Sequence, residues 1–436
     1  MVQVCSRGCA SPAREDDLMT ESTGSATRAA TLKAAALAKI DEIAPNLIAI
    51  SDWMYANPEL GLQERGAVAR LTAELERHGA TVERGIAGLE TAFRATFPNP
   101  VQEPVIAILA EYDALPEVGH GCGHNIIATS AIGAGIALGA LGLDLPGSVV
   151  VLGCPAEESA VPDAGGKIPL VEHGYFDDVD AAIMIHPGTS DFSSMESSLV
   201  AYGLLFEFHG RPSHAAAAPH EGINALDAVI QTFNGISALR QQLRPDVRIH
   251  GIITHGGTAP NVIPAYTCAR FRVRASDPVY AREVVDKVVR CAEAGALAAG
   301  ARLEWRQYIK PYQNVIPNAG VADIIAANFA ELGIAPTERN RSGSGSTDLG
   351  NVSHVVPCGQ AIIRICDEDI PWHSREVADV TVTPVGHEAI LRGARVLAMS
   401  AIDLLCSPEH LIAAHEEHER TAAPVRERLK QVAALA

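Results

Sequence analysis

Four short apolar runs constrain the fold most: residues 105–110, 149–154, 181–185 and 361–365. Each has the length of a strand, is dense in Val, Ile, Leu or Ala, and shows no alternation of apolar with polar. Such runs suit strands covered on both faces, as in the parallel sheet of an α/β protein. The residues after each run matter more. Glu111-Tyr112-Asp113 comes after the first, Glu157-Glu158 after the second and His186 after the third; Trp372-His373-Ser374 comes after the fourth, past a short acidic loop. Open α/β sheets gather their ligands at the carboxyl ends of the strands. One polar strand ending means little, but four that deliver Glu, Glu, His and His point to a shared site.

The rest of the chain frames these strands. Helical periodicity runs over 29–54 and stops at Pro58, and another helix is predicted over 66–78. Residues 200–309 read differently. Strand-like stretches at 201–209, 247–254, 265–275 and 302–307 enclose helical ones at 224–239 and 279–297. That order is β-α-β-β-α-β, a ferredoxin-like unit. It interrupts the larger α/β unit, because the fourth strand with its histidine comes after it. The predicted architecture is therefore a discontinuous catalytic domain, with a mostly parallel sheet flanked by helices, plus an inserted domain. The expected division is a disordered tail over 1–28, catalytic segments at 29–199 and 310–436, and the insertion at 200–309. Ser342 to Thr347 reads as a flexible loop.

Charge and cysteine usage exclude several functions. The formal net charge of −18 disfavours phosphate backbones and anionic membrane surfaces as partners. Nine cysteines, odd in number and widely scattered, do not form a disulfide scaffold and suggest a reducing, cytoplasmic setting. The uncharged stretch 126–143 raises the question of a membrane span, but its Ala and Gly content reads as a buried helix.

The segment 119–125, GHGCGHN, is rich in chemistry. Cys122 and His124 lie two apart and point the same way if the chain is extended. Thiolate and imidazole together suit zinc or another borderline transition metal. Adjacent carboxylates at Glu157-Glu158 repel each other in a crevice unless a cation takes one, and the other is then free to act as a base toward a water. With His186 and His373, the residues Cys122, His124 and Glu158 make five donors, enough for two divalent ions. Gly165-Gly166-Lys167 lacks the upstream glycine of a phosphate-binding loop. Arg270, Arg272 and Arg274 alternate along a strand; one is expected to meet a substrate carboxylate and at least two to be solvated.

The motifs PELGLQE, EYDALP, GHGCGHN, PAEE, IHPG, GRPSHAA, GGTAPNVIP, GSTDLGNVS and WHS occur in this order between about residues 30 and 400. Together they resemble the dinuclear metallopeptidase family of aminoacylases, carboxypeptidase G-type enzymes and auxin-conjugate amidohydrolases. The EYDALP and STDLGNVS forms are similar to the branch containing p-aminobenzoyl-glutamate hydrolase and the β-alanyl-lysine dipeptidase. The resemblance implies that Cys122 bridges two metal ions and that His124, Glu158, His186 and His373 complete their ligands. Zinc is the expected ion, with manganese and cobalt as alternatives. It implies Glu157 as general base and then acid, His214 as a group that reaches the partner subunit's site and helps hold an oxyanion, and Asn261 as a substrate contact. The inserted domain would serve as a lid or a homodimer interface. The chain departs from many relatives at 111–113, where they carry His-x-Asp, so Asp113 is expected to support a ligand rather than be one.

The implied activity is metal-dependent hydrolysis of an amide in an N-acyl or N-aroyl amino acid, or in a dipeptide. Two other readings stand beside it: a thiol amidase with Cys122 as nucleophile and His124 or His120 as base, and a non-catalytic binding protein on the same fold.

Overall fold

The computed structural model describes residues 15–335, 345–366 and 370–434. Its strands are β1 (Thr81–Arg84), β2 (Phe93–Thr96), β3 (Val105–Glu111), β4 (Ser148–Cys154), β5 (Ala181–Gly188), β6 (Phe192–Ser194), β7 (Val200–His209), β8 (Arg248–His255), β9 (Tyr266–Ala275), β10 (Arg302–Tyr312) and β11 (Cys358–Arg364). Seven of them form one sheet in the order β1-β2-β4-β3-β5-β11-β6, and four form another in the order β10-β7-β9-β8.

The four apolar runs are β4, β3, β5 and β11, adjacent and parallel at the centre of the first sheet. Every residue of β3 is buried, which is the physical reason that the run lacks alternation. Antiparallel neighbours β1, β2 and β6 finish the sheet's edges. Because the central strands are parallel, Glu111, Cys154 and His186 all emerge at one end. The helix His124–Gly139 packs on this sheet and against the helices Glu15–Ala56 and Pro384–Cys406, which also pack on each other. It is buried on all sides along nearly its whole length, as its all-round apolar composition demands. No helix among the described residues is long and apolar enough to cross a membrane.

The first helix starts at Glu15, ahead of the apolar period that begins near residue 29, and continues through Pro45. Of the tail expected over 1–28, residues 1–14 lie outside the described residues, and the backbone of 15–28 is helical. Residues 342–344 of the expected Ser/Gly loop also lie outside them.

The second sheet is antiparallel throughout. The helices Ala225–Leu239 and Pro278–Ala299 cover one face, packing on Phe206, Phe271, Val273 and their neighbours. Here the expected β-α-β-β-α-β order is present, with the last strand running on to Tyr312 rather than ending near 307. The opposite face meets the first unit through a small apolar cluster that includes Ala156, Ala164, Leu205, Tyr308 and Ile309. Tyr312 completes the junction, and its hydroxyl donates to the Glu157 carbonyl at 2.7 Å. The second sheet is thereby seated beside the Glu157 turn.

Candidate metal centre

The loop before the helix His124–Gly139 brings Cys122 to the strand ends. Gly123 has φ +75°, and a Cβ there would stand 2.7 Å from the Pro187 ring. Only glycine permits both the left-handed turn and the contact with the residue after His186. Across the loop, the His373 N–H donates to the Gly121 carbonyl at 3.2 Å. His373 itself has φ +62°, a strained backbone for a non-glycine residue. The glycines and this strained turn thus draw Cys122, His186 and His373 together from three separate segments.

Donor atoms of Cys122, His124 and His186 lie within 4.8 Å of one another, as do those of Cys122, Glu158 and His373, with Cys122 shared by both groups. All five donors expected from the sequence therefore converge. Three of the five are held by a neighbour. The Nδ1 of His124 pairs with Asp113 Oδ1 at 2.9 Å, which turns Nε2 to the pocket. His186 likewise uses Nδ1 on the Pro187 carbonyl at 2.7 Å, leaving its Nε2 3.5 Å from Cys122 Sγ. Trp372 Nε1 donates to Cys122 Sγ at 3.4 Å. Glu158 Oε1 stands 3.5 Å from His373 Nε2.

The chemistry of this set fits divalent cations. His124 Nε2 and Glu158 Oε1 are buried without a hydrogen-bond partner among the described residues, an expensive state for polar atoms with nothing to bind. Burial, then the Glu158 charge, pushes the Cys122 thiol up to about 12, so the sulfur becomes a thiolate only beside a cation. The same shift weighs against Cys122 as a free nucleophile. Burial holds His120 at about 3, a neutral ring that joins none of the donor groups.

Asp113 does more than orient His124. Its carboxylate also accepts the backbone N–H of Glu157 at 3.2 Å and of Glu158 at 3.0 Å. Burial would raise its pKa, but the His124 ring and these two amides hold it below the ordinary value. Glu64 steadies the same turn, accepting the Ala156 N–H at 2.9 Å; Ala156 has φ +54°. Glu157 is buried beside Glu158. Burial first, then the carboxylates of Glu111, Glu158 and Asp348, push its pKa well above the ordinary range, with Lys167 opposing.

His214 and Asn261 lie elsewhere. Both are exposed on the second unit, joined where the Ala215 N–H donates to the Asn261 carbonyl at 3.0 Å. The His214 ring accepts from the Ala216 and Ala217 amides and belongs to none of the donor groups.

Sequence reasoning missed several residues. Arg270 is exposed as expected, but Arg272 is only 8% exposed and Arg274 is partly buried. Both face the seam between the units, which removes the solvent expected around at least two of the three. Arg272 Nε and Nη1 and Arg274 Nε are buried without hydrogen-bond partners among the described residues. Arg274 Nη1 donates to Ser346 Oγ at 3.2 Å. The alternation of these arginines with Phe271 and Val273 is the only signal the sequence offers. Lys167, whose Gly-Gly-Lys segment is no phosphate-binding loop, is fully buried against Glu111 and Asp348.

Residues 201–299 match the peptidase dimerisation domain family of the M20 group. The chain is 36% identical to the Xaa-Arg dipeptidase of Mus musculus over 410 residues, which span 91% of this chain and 94% of that protein. It is 28% identical to one of the p-aminobenzoyl-glutamate hydrolase polypeptides of Escherichia coli, covering 85% and 91% of the two chains. Among solved structures, the YXEP protein of Bacillus subtilis, described as a dinuclear metal-binding peptidase of the M20 family, superposes with a TM-score of 0.62 at 22% identity. That match covers 84% of this chain and 99% of the other. Similarity of this extent to the mouse dipeptidase, laid over donors that converge on one crevice, identifies the chain as a member of the M20 family of metallopeptidases and a hydrolase of amide bonds.

Proposed function

We propose that the chain hydrolyses the amide of a carboxylate-bearing substrate, an N-acyl or N-aroyl amino acid or a dipeptide, using two divalent cations. The observation that carries this reading is the pair of three-donor groups that share Cys122 and include two buried atoms with nothing to bind. Cys122, His124 and His186 would hold one ion, and Cys122, Glu158 and His373 the other. The cations would supply Lewis acidity, polarising the substrate carbonyl and lowering the pKa of a water toward about 7. Cysteine and imidazole donors favour zinc; manganese and cobalt are tested alongside it.

Glu157 serves as the proton carrier. Its carboxylate takes a proton from the attacking water and returns it to the nitrogen as the C–N bond breaks. Its raised pKa suits both halves of that task. The products are an amine, commonly an amino acid, and a carboxylic acid. Arg272 and Arg274 would receive the substrate carboxylate, because a guanidinium keeps its charge and its buried N–H groups need an acceptor. This is what favours an anionic amino-acid end over a neutral amide.

His214 and Asn261 would act on the partner's site in a homodimer, with His214 helping to hold the oxyanion. Their exposure, their absence from the chain's own donor groups, and the match of 201–299 to a dimerisation domain support this reading. The free thiols of Cys122, Cys154, Cys268, Cys291 and Cys358 support residence in the cytoplasm.

The test is hydrolysis of a panel of N-acyl amino acids, p-aminobenzoyl amides and dipeptides before and after chelation. Turnover should vanish with the metal and return with added zinc, manganese or cobalt. Full activity in chelator, or none on any amide after metal loading, would overturn the proposal.

A further inference from the structure

Lys167 takes no part in the reaction as drawn, yet it lies fully enclosed beside the donors. Lysine is almost never buried unless paired. Its ammonium donates to Glu111 Oε1 at 2.5 Å and to Asp348 Oδ1, and its backbone N–H donates to Asp348 Oδ2 at 2.9 Å. Asp348 thus grips both ends of the residue and fixes where the ammonium stands. Stability alone is a poor explanation, since desolvation largely offsets the attraction in a buried ion pair and apolar side chains often serve as well.

Glu111 supplies a better one. Lys167 occupies one of its oxygens. The other, Oε2, is buried without a hydrogen-bond partner among the described residues and stands 3.6 Å from His124 Nε2. The same spacing, 3.5 Å, separates Cys122 Sγ from His186 Nε2 and Glu158 Oε1 from His373 Nε2. Donors sharing one cation, each about 2.0–2.3 Å from it, are separated by roughly this much in a tetrahedral arrangement. Glu111, His124 and Glu157 also bring donor atoms within 4.8 Å of one another.

Resting on the metallohydrolase reading, we propose that Glu111 is a further cation-holding residue beside His124, and that Lys167 and Asp348 are positioning residues that make it offer a single oxygen. The ammonium occupies Oε1 and so prevents Glu111 from closing on a cation with both oxygens. Asp348 lies two residues from Ser346, which holds Arg274. One short loop therefore steadies both the cation side and the proposed carboxylate side of the crevice.

The test uses full-length protein stripped of metal and titrated with cobalt(II), read by visible absorption, with zinc affinity from competition against a chromophoric chelator. Glu111→Gln keeps the shape and can still accept from Lys167, but it turns an amide N–H₂ to the pocket. It should weaken one of two binding events by about 10-fold or more and alter the cobalt bands. Lys167→Met should alter the same bands, and the double variant should add little to Glu111→Gln alone. Wild-type affinities and bands in Glu111→Gln would overturn the proposal while leaving the metallohydrolase reading intact. Fully additive effects would remove Lys167 from its positioning role. If Lys167→Met melts early and cannot be titrated, Glu111→Gln decides alone, because it retains the Lys167–Asp348 pair. A wild type that takes up no cation would overturn the metallohydrolase reading, and this proposal with it.

Discussion

The crevice at the strand ends and the tip of the second sheet hold their candidate side chains in different states. In the crevice four of the five donors are wholly or partly buried and three are braced by a neighbour, Asp113 on His124, Pro187 on His186 and Trp372 on Cys122, while His373 is exposed. At the tip, His214 and Asn261 are exposed, and their local partners lie within the same turn. A single chain therefore gathers the first set and leaves the second facing outward. The lesson is that burial and bracing preorganise a site within one subunit, whereas the roles proposed for His214 and Asn261 would require a second surface to cover them.

Four substitutions break or sharpen that contrast. Glu157→Gln should have the largest effect, lowering kcat by about 10³-fold or more while both cations remain bound, since the proton carrier is lost and the donors are kept; metal analysis beside steady-state kinetics checks it. His214→Ala should lower kcat by about 10²-fold, the usual worth of an oxyanion donor. Mixing it with Glu157→Gln under conditions of subunit exchange should restore activity, because the hybrid holds one intact site; no recovery in proven hybrids would place His214 in its own subunit's site. Arg272→Met should raise KM by about 10-fold for substrates with a free carboxylate and leave their amidated analogues unchanged, as loss of one charge-assisted contact predicts.

The smallest expected effect concerns stability and pH. Burial, then the Asp113 charge, raises Glu64 from the ordinary carboxylate value to about 7. A carboxyl raised in the folded state favours folding while it is protonated, and that favour is lost as pH climbs from about 4.5 through about 7. Glu64→Gln should therefore match the cation-free wild type at pH 4 and exceed it at pH 8, by up to about 3 kcal/mol. Urea unfolding at the two pH values reads the difference; equal midpoints at both would show that Glu64 ionises in place without cost.

The same contrast explains how much of the molecule is legible in its sequence. The central strands can be read because parallel strands buried on both faces leave an unbroken apolar signature, and the motifs at their ends supply the candidate donors. Lys167 cannot, because its partners Glu111 and Asp348 lie 56 and 181 residues away. Only the folded crevice distinguishes a buried ammonium from a surface one. The arginines of β9 escape for a related reason. Alternation shows that Arg270, Arg272 and Arg274 share a face, but which of them solvent reaches depends on what the other unit lays over that face. His373 shows the converse: its identity is plain from the sequence, but its left-handed backbone is not.

The Asp113 carboxylate fastens the His124 ring and, through two amides, the turn that carries Glu157 and Glu158. On the proposed mechanism the proton carrier and the cation-holding ring would thus share an anchor, while Glu64 and Tyr312 brace the same turn. A change as slight as Asp113→Asn would then disturb both halves at once.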